Sequence, residues 1–213
     1  MKDNVFFVSG IDTNVGKSYA TGYLAKTWNE QGVRTITQKF IQTGNVGMSE
    51  DIELHRKIME TGLLPEDESG LTMPEIFTYP CSPHLAAEID HRPIDFDKIE
   101  KATRQLSETY DAVLLEGAGG LMVPLTRDLL TIDYVAQKNY PLIFVTSGKL
   151  GSINHTLLSL EAITRRGIRL HTVAYNLFPE EDDDIIRRDT EAYIRDLLAK
   201  EYPETHFVVI PKL

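Results

Sequence analysis

The stretch GIDTNVGKS, Gly10–Ser18, carries the residue types that hold phosphate. It lies between an apolar run and an amphipathic one, where a strand hands over to a helix. Backbone N–H groups in such a loop converge on phosphate oxygens, aided by the positive end of the helix. Gly16 lets the backbone come close, Lys17 neutralises β- and γ-phosphate charge, and the Ser18 hydroxyl can ligate Mg²⁺. The usual pattern places four residues between the first glycine and Gly-Lys; here five intervene, Ile11 to Val15. The extra residue widens the loop and is expected to bring Thr13 and Asn14 toward the γ-phosphate. A bland glycine turn with a surface lysine is the competing reading. The loop's position and the serine after the lysine weigh against it.

In an open parallel sheet, ligands gather beyond the carboxyl ends of the strands. That rule selects QKFIQTG (Gln38–Gly44), EGAGG (Glu116–Gly120) and SGKLGSIN (Ser147–Asn154), each after an apolar run. Glu116 closes one such run, where a carboxylate is costly unless a cation pairs with it. A nucleotide's Mg²⁺ would supply that cation. Asp51 opens a helix and reads equally as a cap for backbone N–H groups or as a metal-site carboxylate. Lys39 reads as a solvated edge lysine or, from its place at the ligand edge, as a catalytic cation.

These side chains need a scaffold, and the hydrophobic pattern supplies one. Strands are expected at Asn4–Ser9, Arg34–Lys39, Asp111–Glu116, Pro141–Thr146, Leu170–Asn176 and Phe207–Ile210. Helices are expected at Lys17–Gln31, Glu50–Thr61, Asp95–Thr109, Ser152–Arg166 and Asp182–Lys200. In the second helix Ile52, Leu54 and Ile58 are the expected core residues. The middle strands are almost continuously apolar, as strands covered by helices on both faces are. Alternating strands and helices imply right-handed crossovers, hence an α/β fold with a mostly parallel sheet flanked by helices. The acidic block in Pro179–Asp189 reads as a solvated helix start.

The chain has 213 residues, 42% of them hydrophobic, enough for one packed domain spanning 1–213. Its formal charge of −10 argues against general nucleic-acid or anionic-membrane binding. The start has no signal-peptide pattern, and no apolar span could cross a bilayer. Cys81, the one cysteine, allows no internal disulfide, and a reducing cytoplasm is the simplest location. Cys81 reads as a small buried residue and Trp28 as core. The six histidines show no metal-ligand spacing, and His84 and His155 read as packing or hydrogen-bonding residues.

Taken together, GIDTNVGKS, QKFIQTG, CSPHLAA, EGAGGLMVPL and KLGSINHTLLS resemble, in order, the motifs of the dethiobiotin synthetase family. They reach from Gly10 to about Asn176. The resemblance implies a Rossmann-like P-loop NTPase three-layer sandwich, a homodimer, and ATP- and Mg²⁺-dependent urea-ring closure on 7,8-diaminononanoate with CO₂, in biotin synthesis. It implies that Lys17 and Lys39 stabilise charge on the γ-phosphate and a carbamate. Ser18, Asp51 and Glu116 would hold Mg²⁺, and Thr13 and Thr43 would border the diamine. Asn14, Val15, Gly16, Lys17, Ser18 and Tyr19 would wrap the phosphates, with Gly117, Ala118 and Gly119 along the nucleotide. Asn176 and Leu177 would meet the base. Ser152, Ile153 and Asn154 would receive the substrate carboxylate, across the dimer interface.

Three departures stand out. Phe40 replaces the proline usual after the catalytic lysine, which is expected to leave the Lys39 backbone less constrained. Asn14 stands where Glu is common. The chain stops at Leu213, where many relatives continue with a tail near the nucleotide base, so Pro211 is the base contact expected from this end and purine selectivity is expected to be loose. The competing function is an ATPase switch of the partitioning or iron-protein type. Those carry a lysine near the loop start, where this chain has Ile11 and Asp12.

Overall fold

The computed structural model describes residues 4–178 and 183–212. In chain order these form β1 (Val5–Gly10), α1 (Lys17–Glu30), β2 (Thr35–Lys39), β3 (Gln42–Thr43), α2 (Glu50–Met59), α3 (Pro65–Glu68), β4 (Ile76–Phe77), α4 (Pro83–Ile89), α5 (Phe96–Thr109), β5 (Ala112–Gly120), α6 (Thr131–Lys138), β6 (Leu142–Ser147), α7 (Ser152–Arg165), β7 (Leu170–Asn176), α8 (Asp184–Glu201) and β8 (His206–Ile210). Six strands make one sheet in the order β2-β5-β1-β6-β7-β8, every neighbouring pair parallel. β3 and β4 form a small separate parallel pair.

The sheet is apolar on both faces because helices cover both. Val8, Leu114, Ile143, Val145 and Ala174 pack with Ala20, Leu24 and Ala25 of α1 and Met59 of α2. Phe7, Val113, Leu115, Phe144 and Val173 pack with Ile99 and Leu106 of α5, Ile132 of α6, Leu160 of α7 and Ile194 of α8. The result is the three-layer α/β sandwich that strand–helix alternation implies. No helix among the described residues is long and apolar enough to cross a membrane.

Register then places the polar residues. Lys39 lies beside Glu116, and Glu116 beside Val8; two residues earlier Thr37 lies beside Leu114. Alternate residues share a face, so Thr37, Lys39 and Glu116 all point to the α1/α2 side.

Three expectations are corrected. β5 continues through the glycines to Gly120, so Glu116 sits inside a strand rather than at its end. The buried face of α2 is Ile52, His55, Arg56 and Met59, while Leu54 and Ile58 are only half-buried. A 3-4-7 spacing is kept, but with two polar residues that hydrophobicity alone does not select. The last helix starts at Asp184, because the Asp183 carboxylate accepts from Ile185 N at 2.8 Å and Ile186 N at 3.2 Å and so caps it. Pro179–Asp182 of the acidic block and Leu213 lie outside the described residues.

Candidate active site

The segments selected from the sequence meet at the carboxyl end of the sheet, around a cavity of about 970 Å³. Thr13, Asn14, Val15, Gly16, Lys17, Ser18 and Tyr19 line it, as do Lys39, Thr43, Asp51, Glu116, Ala118, Gly119 and Ser152. Gly117, Ile153, Asn154, Asn176, Leu177 and Pro211 do not.

The loop after β1 is shaped by two glycines. Gly16 has φ 83°, and a Cβ there would fall 2.1 Å from Asn176 Nδ2. A Cβ on Gly10 would lie 2.9 Å from the Val145 carbonyl. Asn176, fully buried at the end of β7, donates from Nδ2 to Val15 O at 2.9 Å and so ties the loop to the sheet. α1 then begins with no acidic residue in its first turn, leaving its positive end uncompensated by the chain.

Lys17 is buried, and its Nζ donates to the Asp12 and Thr13 carbonyls at 2.9 and 3.1 Å. Burial first, and the Lys39 ammonium second, lower its pKa to about 8.

Lys39 is also buried, although β2 is an edge strand. Lys39 N donates to Thr72 O at 2.7 Å, so the chain before β4 covers that edge. Its Nζ bridges Asp51 Oδ2 at 2.5 Å and Glu116 Oε1 at 2.8 Å. Burial works against its charge, but Glu116 and Asp51 outweigh it and hold the lysine above its ordinary value. Burial likewise opposes ionisation of Glu116, and Lys39 followed by His55 reverses this, keeping the carboxyl well below the usual range. The cation that compensates Glu116 therefore belongs to the chain itself.

Asp51 is not the cap of α2. Ser49 caps α2, its Oγ accepting from Ile52 N at 3.2 Å. Asp51, two residues on and still in the first turn, accepts from Ser18 Oγ at 2.6 Å and pairs with Lys39. Ser18 Oγ also lies 2.9 Å from Glu116 Oε1. One hydroxyl and two carboxylates thus meet within hydrogen-bond range, a set of hard oxygen donors. Among the described residues no three His, Cys, Asp or Glu side chains are grouped to hold a metal. This donor set fits Mg²⁺, which takes one or two carboxylates and completes its shell from phosphates and water.

Phe40 overturns the expectation of a looser lysine. Its N–H, which proline lacks, donates to Glu116 O at 2.8 Å. Its buried ring packs against Phe7 and Tyr134 at centroid distances of 5.5 and 4.8 Å. Cys81 is half-buried on the cavity wall, with burial and Asp90 pushing its thiol pKa up. Trp28 is half-buried at the core's edge, 5.2 Å from the Phe6 ring.

Sequence reasoning missed His55, Arg56, Thr37 and Ser49. The four-residue interval from Asp51 to His55, which puts both on one helix face, was the available signal. It also missed Phe178, on the cavity wall beside Tyr19 with ring centroids 5.6 Å apart.

A family model described as an AAA domain matches residues 4–213. The chain is 52% identical over 206 residues to an ATP-dependent dethiobiotin synthetase of Pasteurella multocida, covering 97% of this chain and 96% of that protein. One from Chlorobaculum tepidum is 52% identical over 191 residues, covering 90% and 80%. The chain belongs to the ATP-dependent dethiobiotin synthetase family. It is accordingly an ATP-dependent ligase that forms C–N bonds. Among solved structures, a ParA bound to nonspecific DNA (pNOB8) aligns with TM-score 0.55 at 14% identity, covering 99% of this chain and 86% of that one. Chloroplast FtsY from Physcomitrella patens aligns with TM-score 0.53 at 16% identity, and the synthetase spans 60% of the FtsY chain's length. At such identities the likeness establishes the P-loop NTPase fold and nothing about ligands.

Proposed function

We propose that this synthetase closes a cyclic urea on 7,8-diaminononanoate, using CO₂ and ATP and releasing dethiobiotin, ADP and phosphate, as a cytoplasmic homodimer in biotin synthesis. The observation that carries the reading is the meeting of Lys17, Lys39, Ser18, Asp51 and Glu116 at one end of a single cavity.

In this reading an amine of the substrate captures CO₂ as a carbamate. A carbamate oxygen attacks the γ-phosphorus and ADP leaves. The second amine then attacks the carbamoyl carbon, closing the ring and expelling phosphate. Triphosphate, carbamate and carboxylate are all anions, and the protein is acidic overall, so attraction has to be local. Residues Asn14–Tyr19 hold the phosphates with loop N–H groups and the α1 N-terminus. Lys17 faces the transferred phosphoryl group, and Lys39 the carbamate. Thr13 and Thr43 border the diamine. Ser18, Asp51 and Glu116 would hold Mg²⁺, which would supply charge neutralisation on the phosphate oxygens. Gly117, Ala118 and Gly119 run along the nucleotide, and Asn176, Leu177 and Pro211 lie on the base side. Ser152, Ile153 and Asn154 open α7, whose first turn carries no acid; its N–H groups receive the substrate carboxylate from the partner subunit's side of the homodimer.

The test is incubation with the diamine, bicarbonate and MgATP. Diamine-dependent phosphate release with a cyclic-urea product is the expected result. ATP hydrolysis that ignores the diamine would instead favour a nucleotide switch.

A further inference from the structure

Glu116 does not face the cavity with both oxygens. Oε1 meets Ser18 Oγ at 2.9 Å and Lys39 Nζ at 2.8 Å, whereas Oε2 lies 2.7 Å from His55 Nε2, on the side of α2. The other ring nitrogen, Nδ1, is 3.0 Å from Thr37 Oγ1. Thr37 Oγ1 in turn accepts from Arg56 Nη1 at 2.8 Å. Arg56 is clamped by Asp67, whose two oxygens accept from Nε and Nη2, each at 2.8 Å. Thr72 Oγ1 and Leu64 N also donate to Asp67, at 2.6 and 2.8 Å. His55, Thr37, Arg56, Asp67 and Glu116 are all buried.

This chain of bonds has one direction. A guanidinium only donates, so Thr37 Oγ1 accepts from Arg56 and has its single proton left to give. Among the described residues the only other partner in reach of that hydroxyl is His55 Nδ1, which therefore accepts. A ring that accepts at Nδ1 carries its proton at Nε2, aimed at Glu116 Oε2. Each donor then meets an acceptor, as buried polar groups require.

We infer that His55 is a positioning residue. Through the chain Arg56–Thr37–His55–Glu116 it fixes the rotation of the Glu116 carboxylate, so that Oε1 is presented to the metal carried by the nucleotide. The inference rests on the proposed metal role of Glu116. Imidazole, on a rigid helix and oriented from behind, holds Oε2 out of the cavity. Without that bond the carboxylate turns between rotamers, and the donor set of Ser18, Asp51 and Glu116 loses its geometry. Groups that orient metal ligands in this way are commonly worth ~10–100-fold in metal affinity.

The test uses the full chain, with Mn²⁺ binding in the presence of ADP read by electron paramagnetic resonance and melting temperature as the folding control. His55→Leu is expected to weaken Mn²⁺ binding by ~10–100-fold. His55→Gln, whose amide can still donate to Glu116, is expected to restore most of it. In the unsubstituted protein, ¹⁵N shifts are expected to show a pyrrole-type Nε2 and a pyridine-type Nδ1, a readout that needs no variant to fold. A proton on Nδ1 would overturn the inference, as would a Gln variant no better than Leu. If Glu116→Gln loses Mn²⁺ affinity and His55→Leu keeps it, this inference alone fails. If Glu116→Gln binds Mn²⁺ as the parent does, the metal reading fails and takes this one with it.

Discussion

Lys39 and Lys17 are both buried cations at one cavity wall, yet their surroundings drive them apart. Lys39 is gripped by two carboxylates and stays charged across the working range. Among the described residues Lys17 bonds only to carbonyls, and its pKa falls to about 8. In the proposed site, ADP phosphates pair with the charged form of Lys17. Affinity for ADP is therefore expected to be flat below about 8 and to fall as pH rises through that value. The limiting slope is ~tenfold per pH unit, until the lysine pKa in the complex is reached. Calorimetric titration of ADP from pH 6.5 to 9.5 checks this, and an affinity constant across that range would remove Lys17 from phosphate binding. For Lys39→Ala we expect kcat to drop ~100-fold or more with ADP affinity nearly unchanged, as when a charge-stabilising group is lost. Unchanged turnover would take Lys39 out of the chemistry. Both lysines were legible from the sequence, Lys17 from the phosphate-loop pattern and Lys39 from its place at the end of a strand in a parallel sheet. What held them was not: Glu116 looked in need of an external cation, and the structure finds that cation in the chain.

At the scale of elements, α2 carries most of what the sequence concealed. Its hydrophobic spacing marked Ile52, and the next turn was assigned to Leu54 and Ile58. Packing instead buries His55 and Arg56, because Thr37, Glu116 and Asp67 stand ready to bond them. A polar side chain enters a core when its partners are there, and those partners are distant in sequence. The helix start is similar. Asp51 was the one cap the sequence suggested, but Ser49 takes that place, with Gln42 Oε1 accepting from Ser49 Oγ at 2.5 Å and drawing the serine inward. Ser49→Ala is expected to destabilise the fold by ~1 kcal/mol and to raise the nucleotide KM by loosening Asp51. Urea denaturation and steady-state kinetics check the two parts; a stability unchanged by the substitution would show that the cap carries no weight.

Across the whole molecule, the strand–helix order and the layered sheet followed from alternation of apolar runs, since each buried strand reads as a short continuous hydrophobic segment. The region from Gly62 to Pro93 did not yield its elements. α3, β4 and α4 hold four, two and seven residues, too few for a period to emerge. They matter nonetheless, because Thr72 covers β2 and Pro80 to Pro83 wall the cavity. In the function proposed here, this framework builds a mouth at which fixed positive centres draw nucleotide and carbamate together. The proposed attack of carbamate oxygen on phosphorus would leave a mark that can be followed. With ¹⁸O-labelled CO₂, diamine and MgATP, read before the label exchanges with water, the phosphate released should carry one labelled oxygen. Unlabelled phosphate, with its new oxygen drawn from water, would mean that this site hydrolyses ATP and never activates a carbamate.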